Sequence, residues 1–288
     1  MKEAWVVKRL AVCAWVIVMI LAVTAPFKAE AASKKTVYVI SSIKTKGQGR
    51  LGVEENYTKK IKYNSKGLIT NISQPDSEDI SYSFKYDNKG RVKRFTEKIG
   101  KGSHKATSIY TYHYKAGRLQ KRILSSTNGD ANTNTFTYNN KGRITAAKVE
   151  STWKEETGEI GSETHILQFK YQKGHVVKQT GLFGMTMTRT LDKHANISSY
   201  VMTMPDGSVM NESYLQAHFT YNKSKRIKTR KFRYRNPMMD HEENLTQTVK
   251  YKKIKVNKKY VDLIKAQQWQ LMNADGAPNG ASDEAAAW

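Results

Sequence analysis

Along most of this chain apolar and polar residues alternate one for one, then break at short polar clusters. Ile80, Tyr82, Phe84 and Tyr86 fall on one face of an extended segment, and Ser81, Ser83 and Lys85 on the other. Leu167, Phe169 and Tyr171 repeat the pattern, as do Leu215, Ala217, Phe219 and Tyr221. A period of two marks a half-buried strand. Each run ends in turn chemistry. Asp or Asn follows the tyrosine, where its side chain can accept a backbone N–H. Gly follows three residues later, where a type I turn closed by a bulge needs positive φ. An Arg and a branched apolar residue then open a return strand. The unit so described is a β-hairpin.

The unit recurs. Tyr63-Asn64-Ser65-Lys66-Gly67-Leu68 returns as Tyr86-Asp87-Asn88-Lys89-Gly90-Arg91-Val92 and as Tyr138-Asn139-Asn140-Lys141-Gly142-Arg143-Ile144. Looser copies begin at Tyr114, which is one residue shorter, and at Tyr171. Two degenerate copies begin at Leu191 and Tyr221, giving seven copies about 26 residues apart. Gly67, Gly90, Gly117, Gly142 and Gly174 are the expected structural turn residues. Ala195 and Ser224 mark copies that have lost the glycine, and their turns are expected to differ in type or length.

This tyrosine–Asx–glycine–arginine pattern resembles the repeat of the RHS/YD-repeat proteins, over roughly residues 55–235. The resemblance implies hairpins joined edge to edge in a curling antiparallel sheet. In large members of that family the sheet encloses a toxic C-terminal domain. Seven copies are too few for such a shell, and no Asp-Pro-x-Gly-Leu boundary motif is present. The expected fold is therefore all-β: about seven tandem hairpins in one antiparallel sheet, curled or half-barrel, with one C-terminal helix.

The flanks complete the plan. Lys35 to Ile43 reads as a first strand, and Thr246–Val256 as a last one. Asn257 is placed to cap a helix over 258–273, with Val261, Ile264, Gln268 and Leu271 on one face. That helix is expected on the sheet or across its end, with Trp269 as a packing residue. Residues 274–288 are small, polar and acidic, and are expected to be disordered. The repeat domain is then 32–257.

The first residues bear on compartment. Lys2, Lys8 and Arg9 precede an apolar run from Leu10 to Phe27, and Ala29-Glu30-Ala31 supplies small residues for cleavage after Ala31. This is the pattern of a secretory signal over residues 1–31. An uncleaved anchor is the alternative, since about 18 apolar residues can just span a bilayer. Cys13, the only cysteine, sits in that run, so the remainder has no disulfide or thiol chemistry.

Charge adds one further constraint. The chain holds 49 Lys+Arg against 25 Asp+Glu, a formal net charge of +24. The lysines are spread through the repeats and not blocked into a tail. Two readings follow. Such a surface is drawn to polyanions, and surface lysine also keeps sheet proteins from pairing edge to edge. The expected partners are an anionic cell-wall polymer, a glycan or a membrane surface, with no specific nucleic acid.

Catalytic chemistry has little support. The seven histidines (104, 113, 165, 175, 194, 218, 241) form no close ligand pair, and no nucleophile elbow, Walker loop or dinucleotide fingerprint occurs. The Asp240-His241-Glu242-Glu243 cluster reads as a solvated loop before a cation site. No cofactor, metal or catalytic residue is expected. The repeated tyrosines, beside Arg91, Arg118, Arg143 and Arg226, read first as a buried cross-strand ladder and second as a platform for sugars or bases. The functional expectation is a non-catalytic surface or wall-associated protein. The alternatives are a carrier with an apolar or peptide ligand in the curved sheet, and a secreted glycan hydrolase.

Overall fold

The computed structural model describes residues 33–273 apart from 50–51, 75–79, 101–104, 156, 173–175, 181–183 and 237–240. The expected signal with its Ala31 site, the tail from 274, and Gly174 lie outside the described residues.

Sixteen strands follow one another: β1 (Lys34–Gln48), β2 (Glu54–Tyr63), β3 (Ile69–Gln74), β4 (Ile80–Tyr86), β5 (Val92–Ile99), β6 (Ala106–Lys115), β7 (Arg118–Ser126) and β8 (Ala131–Tyr138). They continue as β9 (Ile144–Lys154), β10 (Ile160–Gln172), β11 (Val176–Thr180), β12 (Thr186–Leu191), β13 (Ile197–Thr203), β14 (Val209–Tyr221), β15 (Ile227–Asn236) and β16 (His241–Asn257). A 3-10 turn, Lys258–Tyr260, leads into one helix, α1 (Val261–Asn273).

Every strand pairs antiparallel with its sequence neighbours, and β1 also pairs with β16, so the hydrogen-bonded order returns to its start. The sheet thus curls as the repeats imply, and goes on to close. The device that curls it is visible in the register. A bulge falls at the repeat tyrosine or its equivalent in six hairpins: Tyr63, Tyr86, Tyr114, Tyr138, Leu191 and Tyr221. A bulge bends its strand and increases local twist, and repeating it on one rim turns a flat sheet into a ring. The long β1 then closes the ring. It lies against β16 over Lys34–Gln48 and against β2 over Ser42–Gln48. Closure removes both edges that an open array would present to other chains.

The six described repeat turns, the start of β1 and α1 therefore share one end of the barrel. The connections between repeats share the other. Inward side chains form the core: Ile43, Ile61, Phe84, Phe95, Tyr110, Phe136 and Phe169 belong to one cluster, and Leu215, Phe232 and Leu245 to a second. A third cluster joins Val39, Leu68 and Val256 to Tyr260, Leu263 and Ile264, so α1 lies over the repeat-turn end. Its buried side chains include Leu263, Gln267 and Met272 besides the expected Val261, Ile264 and Leu271. The buried stripe is wider and more polar than 3.6-residue spacing suggests, because the helix packs on strand ends as well as on side chains.

Candidate functional site

The repeat motif is explained residue by residue. Asn64 Oδ1 accepts from the N–H groups of Lys66 and Leu68, both at 3.0 Å, and Asp87 Oδ1 accepts likewise from Lys89 and Arg91 at 2.9 Å. Gly67, Gly90, Gly117 and Gly142 carry φ of 80°, 85°, 83° and 80°. The degenerate copies correct one expectation, because they keep the same turn. Asp192 Oδ1 and Asn222 Oδ1 accept the matching pairs of N–H bonds, while Ala195 (φ 61°) and Lys225 (φ 57°) take the left-handed residue. Lys225, not Ser224, occupies the glycine position. The Asx side chain holds the turn firmly enough to impose a conformation that costs a non-glycine residue about 1 kcal/mol or more.

The tyrosines stitch neighbouring hairpins. Tyr63 donates to Ile40 O at 2.5 Å, Tyr114 to Val92 O at 2.9 Å, Tyr138 to Leu119 O at 2.6 Å and Tyr251 to Ile227 O at 2.9 Å. Tyr86 donates to Ile69 O in the same way. Burial holds these hydroxyls above the usual phenol range; those of Tyr138 and Tyr251 are pushed up to about 12. The repeat arginine of one hairpin then covers the tyrosine of the next. Arg91 lies 4.1 Å from the centroid of Tyr114, Arg118 lies 5.6 Å from that of Tyr138, and Arg143 lies 5.2 Å from that of Tyr171. Arg226 stands 3.8 Å from Tyr38 and 5.7 Å from Tyr251. Ring and guanidinium faces are engaged with each other, so the motif interlocks neighbouring hairpins.

Helix α1 seals the same end through polar side chains. Gln268 Oε1 accepts from Ile40 N at 2.6 Å, Gln267 Oε1 from Ile69 N at 3.1 Å, and Asn273 Oδ1 from Ile197 N at 2.7 Å. The N–H groups of Ile69 and Ile197 lie at bulged hairpin openings, and that of Ile40 at the bulge in β1. Gln267 and Gln268 also donate to the hydroxyls of Tyr86 and Tyr63 at 2.9 and 3.2 Å. Trp269 Nε1 donates to Ala195 O at 2.6 Å.

The interior also holds polar and charged side chains among the apolar ones. Arg122, Arg189 and Arg230 are 2%, 0% and 0% exposed. Sixteen-stranded porin barrels enclose an aqueous channel, but these side chains meet protein on every side, so the interior is packed at this level. Asn132 Nδ2 donates to Ser151 Oγ at 2.8 Å, and Asn134 faces Arg122 across the β7–β8 ladder. Arg230, Gln247 and Thr45 form one row over β15, β16 and β1. Glu97 is buried, and desolvation, opposed by the charge of Lys59, pushes its carboxyl up to about 7. These arginines are in phase with Leu124, Met187 and Phe232 in their strands, a signal the sequence does contain.

The outer wall differs. Where β2, β1, β16 and β15 meet, its residues are exposed lysines set among threonine, serine and asparagine. Residues directly opposite in a ladder share a face. One row runs Lys60, Ser42, Lys250; the next Thr58, Lys44, Thr248, Thr229; the third Asn56, Lys46, Thr246, Lys231. Arg233 follows, paired with Glu242 at 2.7 Å. None of Lys44, Lys46, Lys60, Lys62, Lys231 and Lys250 has a carboxylate within ion-pair distance among the described residues. A lysine on the lipid face of a transmembrane barrel costs about 2–4 kcal/mol at mid-depth, so this wall faces water. No helix among the described residues is long and apolar enough to cross a membrane. The patch is not legible as a unit in the sequence, because β2 and β16 are nearly two hundred residues apart in the chain.

No family model and no curated protein matches the chain. Among solved structures, a porin-like protein from Bacteroides uniformis aligns with TM-score 0.45 and 12% identity over 74% of this chain and 98% of that one. A porin-like protein from Bacteroides vulgatus aligns with TM-score 0.38 and 12% identity over 75% and 99%. TcdB2-TccC3 without its hypervariable C-terminal region, an RHS/YD-repeat toxin, aligns with TM-score 0.26 and 12% identity. That alignment covers 70% of this chain and 13% of the toxin. At such scores the likeness is a distant one between hairpin-built all-β chains, and the fold rests on the pairing described above.

Proposed function

We propose that this protein is an exported, non-catalytic β-barrel that binds polyanions at the outer surface of a cell, using the basic wall of β2, β1, β16 and β15. The observation that carries the reading is the set of exposed lysines on that wall that lack carboxylate partners. Such a field attracts anions from solution, and nothing in the fold itself consumes it. The leader-like residues 1–31 support export. The interlock of tyrosine, arginine and turn supports reading the repeats as a short YD-type array, closed on itself instead of wrapped around cargo.

The test is retention of the purified protein on an immobilised polyanion. Replacing Lys44, Lys46 and Lys60 by Glu is expected to weaken binding at least tenfold. The same charge change at Lys148, Lys154 and Lys170, on the strands across the ring, should weaken it much less. Equal loss from both triple variants would mean that net charge and not this wall governs binding. Retention should also fall steeply with salt, because exposed charges are screened within about 8 Å at physiological ionic strength. Retention that persists near 1 M salt would exclude the proposal.

A further inference from the structure

Four of the unpartnered lysines form a file. Lys62 and Lys60 stand on β2, and Lys44 and Lys46 on β1, all exposed. Thr58 faces Lys44 and Ser42 faces Lys60, so the file steps from one strand to the next without a break. At about 3.3 Å per residue and about 4.8 Å between strands, successive ammonium stems are about 7–8 Å apart. The residues between and beside them include Ser42, Asn56, Thr58, Asn71, Ser73 and Thr248: short hydroxyls and two amides. The outward positions of β2, of Ser42–Gln48 and of Glu242–Lys250 hold no aromatic residue, since Tyr57 and Tyr63 take inward positions.

Resting on the polyanion reading above, we infer that this file binds a linear polyol-phosphate chain, laid along β2 and β1 with one phosphodiester to each lysine. A three-carbon polyol linker spaces successive phosphates by a similar distance. Its free hydroxyls match the Thr, Ser and Asn side chains between the lysines. A single-stranded nucleic acid has comparable phosphate spacing, but such strands draw much of their affinity from bases stacked on aromatic side chains; the outward positions of β2, Ser42–Gln48 and Glu242–Lys250 hold none, and the exposed Tyr38 farther along β1 is covered by Arg226. A carboxylate-bearing glycan carries its charge on broad rings, at a pitch set by the sugar and not by the strand.

The probes are synthetic poly(glycerol phosphate) of graded length, polygalacturonate and an oligo-thymidylate, each titrated at fixed salt. Affinity for poly(glycerol phosphate) is expected to rise with length up to about four phosphates and then level off. Lys44→Gln with Lys60→Gln should cost at least tenfold. Lys231→Gln with Lys250→Gln, which leaves the file intact and removes the same charge, should cost about threefold or less. Equal losses from the two pairs, or binding of either other polymer as tight as that of poly(glycerol phosphate), would overturn the inference while leaving a polyanion site on the wall. Failure of all three polymers to bind would remove both readings together. Circular dichroism of each variant verifies the fold, and substitutions at exposed strand positions should leave it unchanged.

Discussion

The hydroxyl of Tyr114 donates to the carbonyl oxygen of Val92, 22 residues earlier, at 2.9 Å, and the guanidinium of Arg91 lies 4.1 Å from the centre of the same ring. Two residues from one hairpin opening therefore grip the tyrosine of the next. Arg91 is itself held by Asp87, whose Oδ2 accepts from Nε at 2.7 Å. The contact thus ties turn, return strand and neighbouring repeat into one unit.

Tyr114→Phe is expected to destabilise the protein by about 1–2 kcal/mol, the cost of losing a buried hydrogen bond and leaving its acceptor short. A double-mutant cycle of Tyr114→Leu with Arg91→Ala, which removes the ring itself, should return a coupling of about 0.5–1 kcal/mol for a partly exposed cation–π contact. Urea denaturation of the parent protein and the variants measures both. A coupling near zero would mean that the stacking is incidental.

The turn glycines should separate by surroundings and not by φ. Gly67 and Gly158 have φ of 80° and 89°, so any side chain is strained at both. A Cβ on Gly67 would sit 2.6 Å from Val256 Cγ1 and 2.7 Å from Ile264 Cδ1, whereas one on Gly158 meets nothing within 4 Å. Gly158→Ala should therefore cost about 1 kcal/mol, the left-handed penalty alone. Gly67→Ala should cost clearly more, because it also pushes α1 off the barrel end. Ala195→Gly and Lys225→Gly should stabilise by up to about 1 kcal/mol, since they relieve that penalty. Thermal melts rank all four.

Glu97 predicts a pH dependence. Its folded-state pKa is raised from 4.5 to about 7, with burial as the main cause. Between those values the folded protein holds a proton that the unfolded chain has lost, so stability should fall as pH rises from about 4.5 to about 7. It should level off above that range. A shift of this size corresponds to on the order of 3 kcal/mol. Glu97→Gln should flatten this part of the profile. If the variant keeps the full slope, another group is responsible.

Gln267→Leu removes the acceptor for Ile69 N–H and the donor to Tyr86. Destabilisation of about 1–3 kcal/mol is expected, since the Ile69 N–H is left buried and unsatisfied while the Tyr86 hydroxyl keeps its bond to Ile69 O. Hydrogen exchange is the sharper measurement. The Ile69 amide should lose protection in the variant, while Ile197, bonded to Asn273, should change less.

The sequence by itself determined the local structure. Alternation fixed which side chains of Ile80–Tyr86 or Leu215–Tyr221 face inward. The Asx and glycine residues fixed the turns, because that chemistry acts within five residues. It also placed the helix after Asn257, whose side chain accepts from Lys259 N at 3.1 Å. Turn type at Ala195 and Lys225 was not legible, because positive φ at a non-glycine residue depends on hydrogen bonds that outweigh its local penalty. Closure was not legible either. Whether a curling sheet stops as a half-barrel or meets itself depends on twist summed over all the bulges, and on β1 being long enough to reach both β2 and β16. Tertiary structure alone brought Lys60, Lys44 and Lys250 onto one wall, because strand pairing joins the two ends of the chain there. Alternation already puts Arg122, Arg189 and Arg230 on the inward face of their strands, and closure of the ring then buries them.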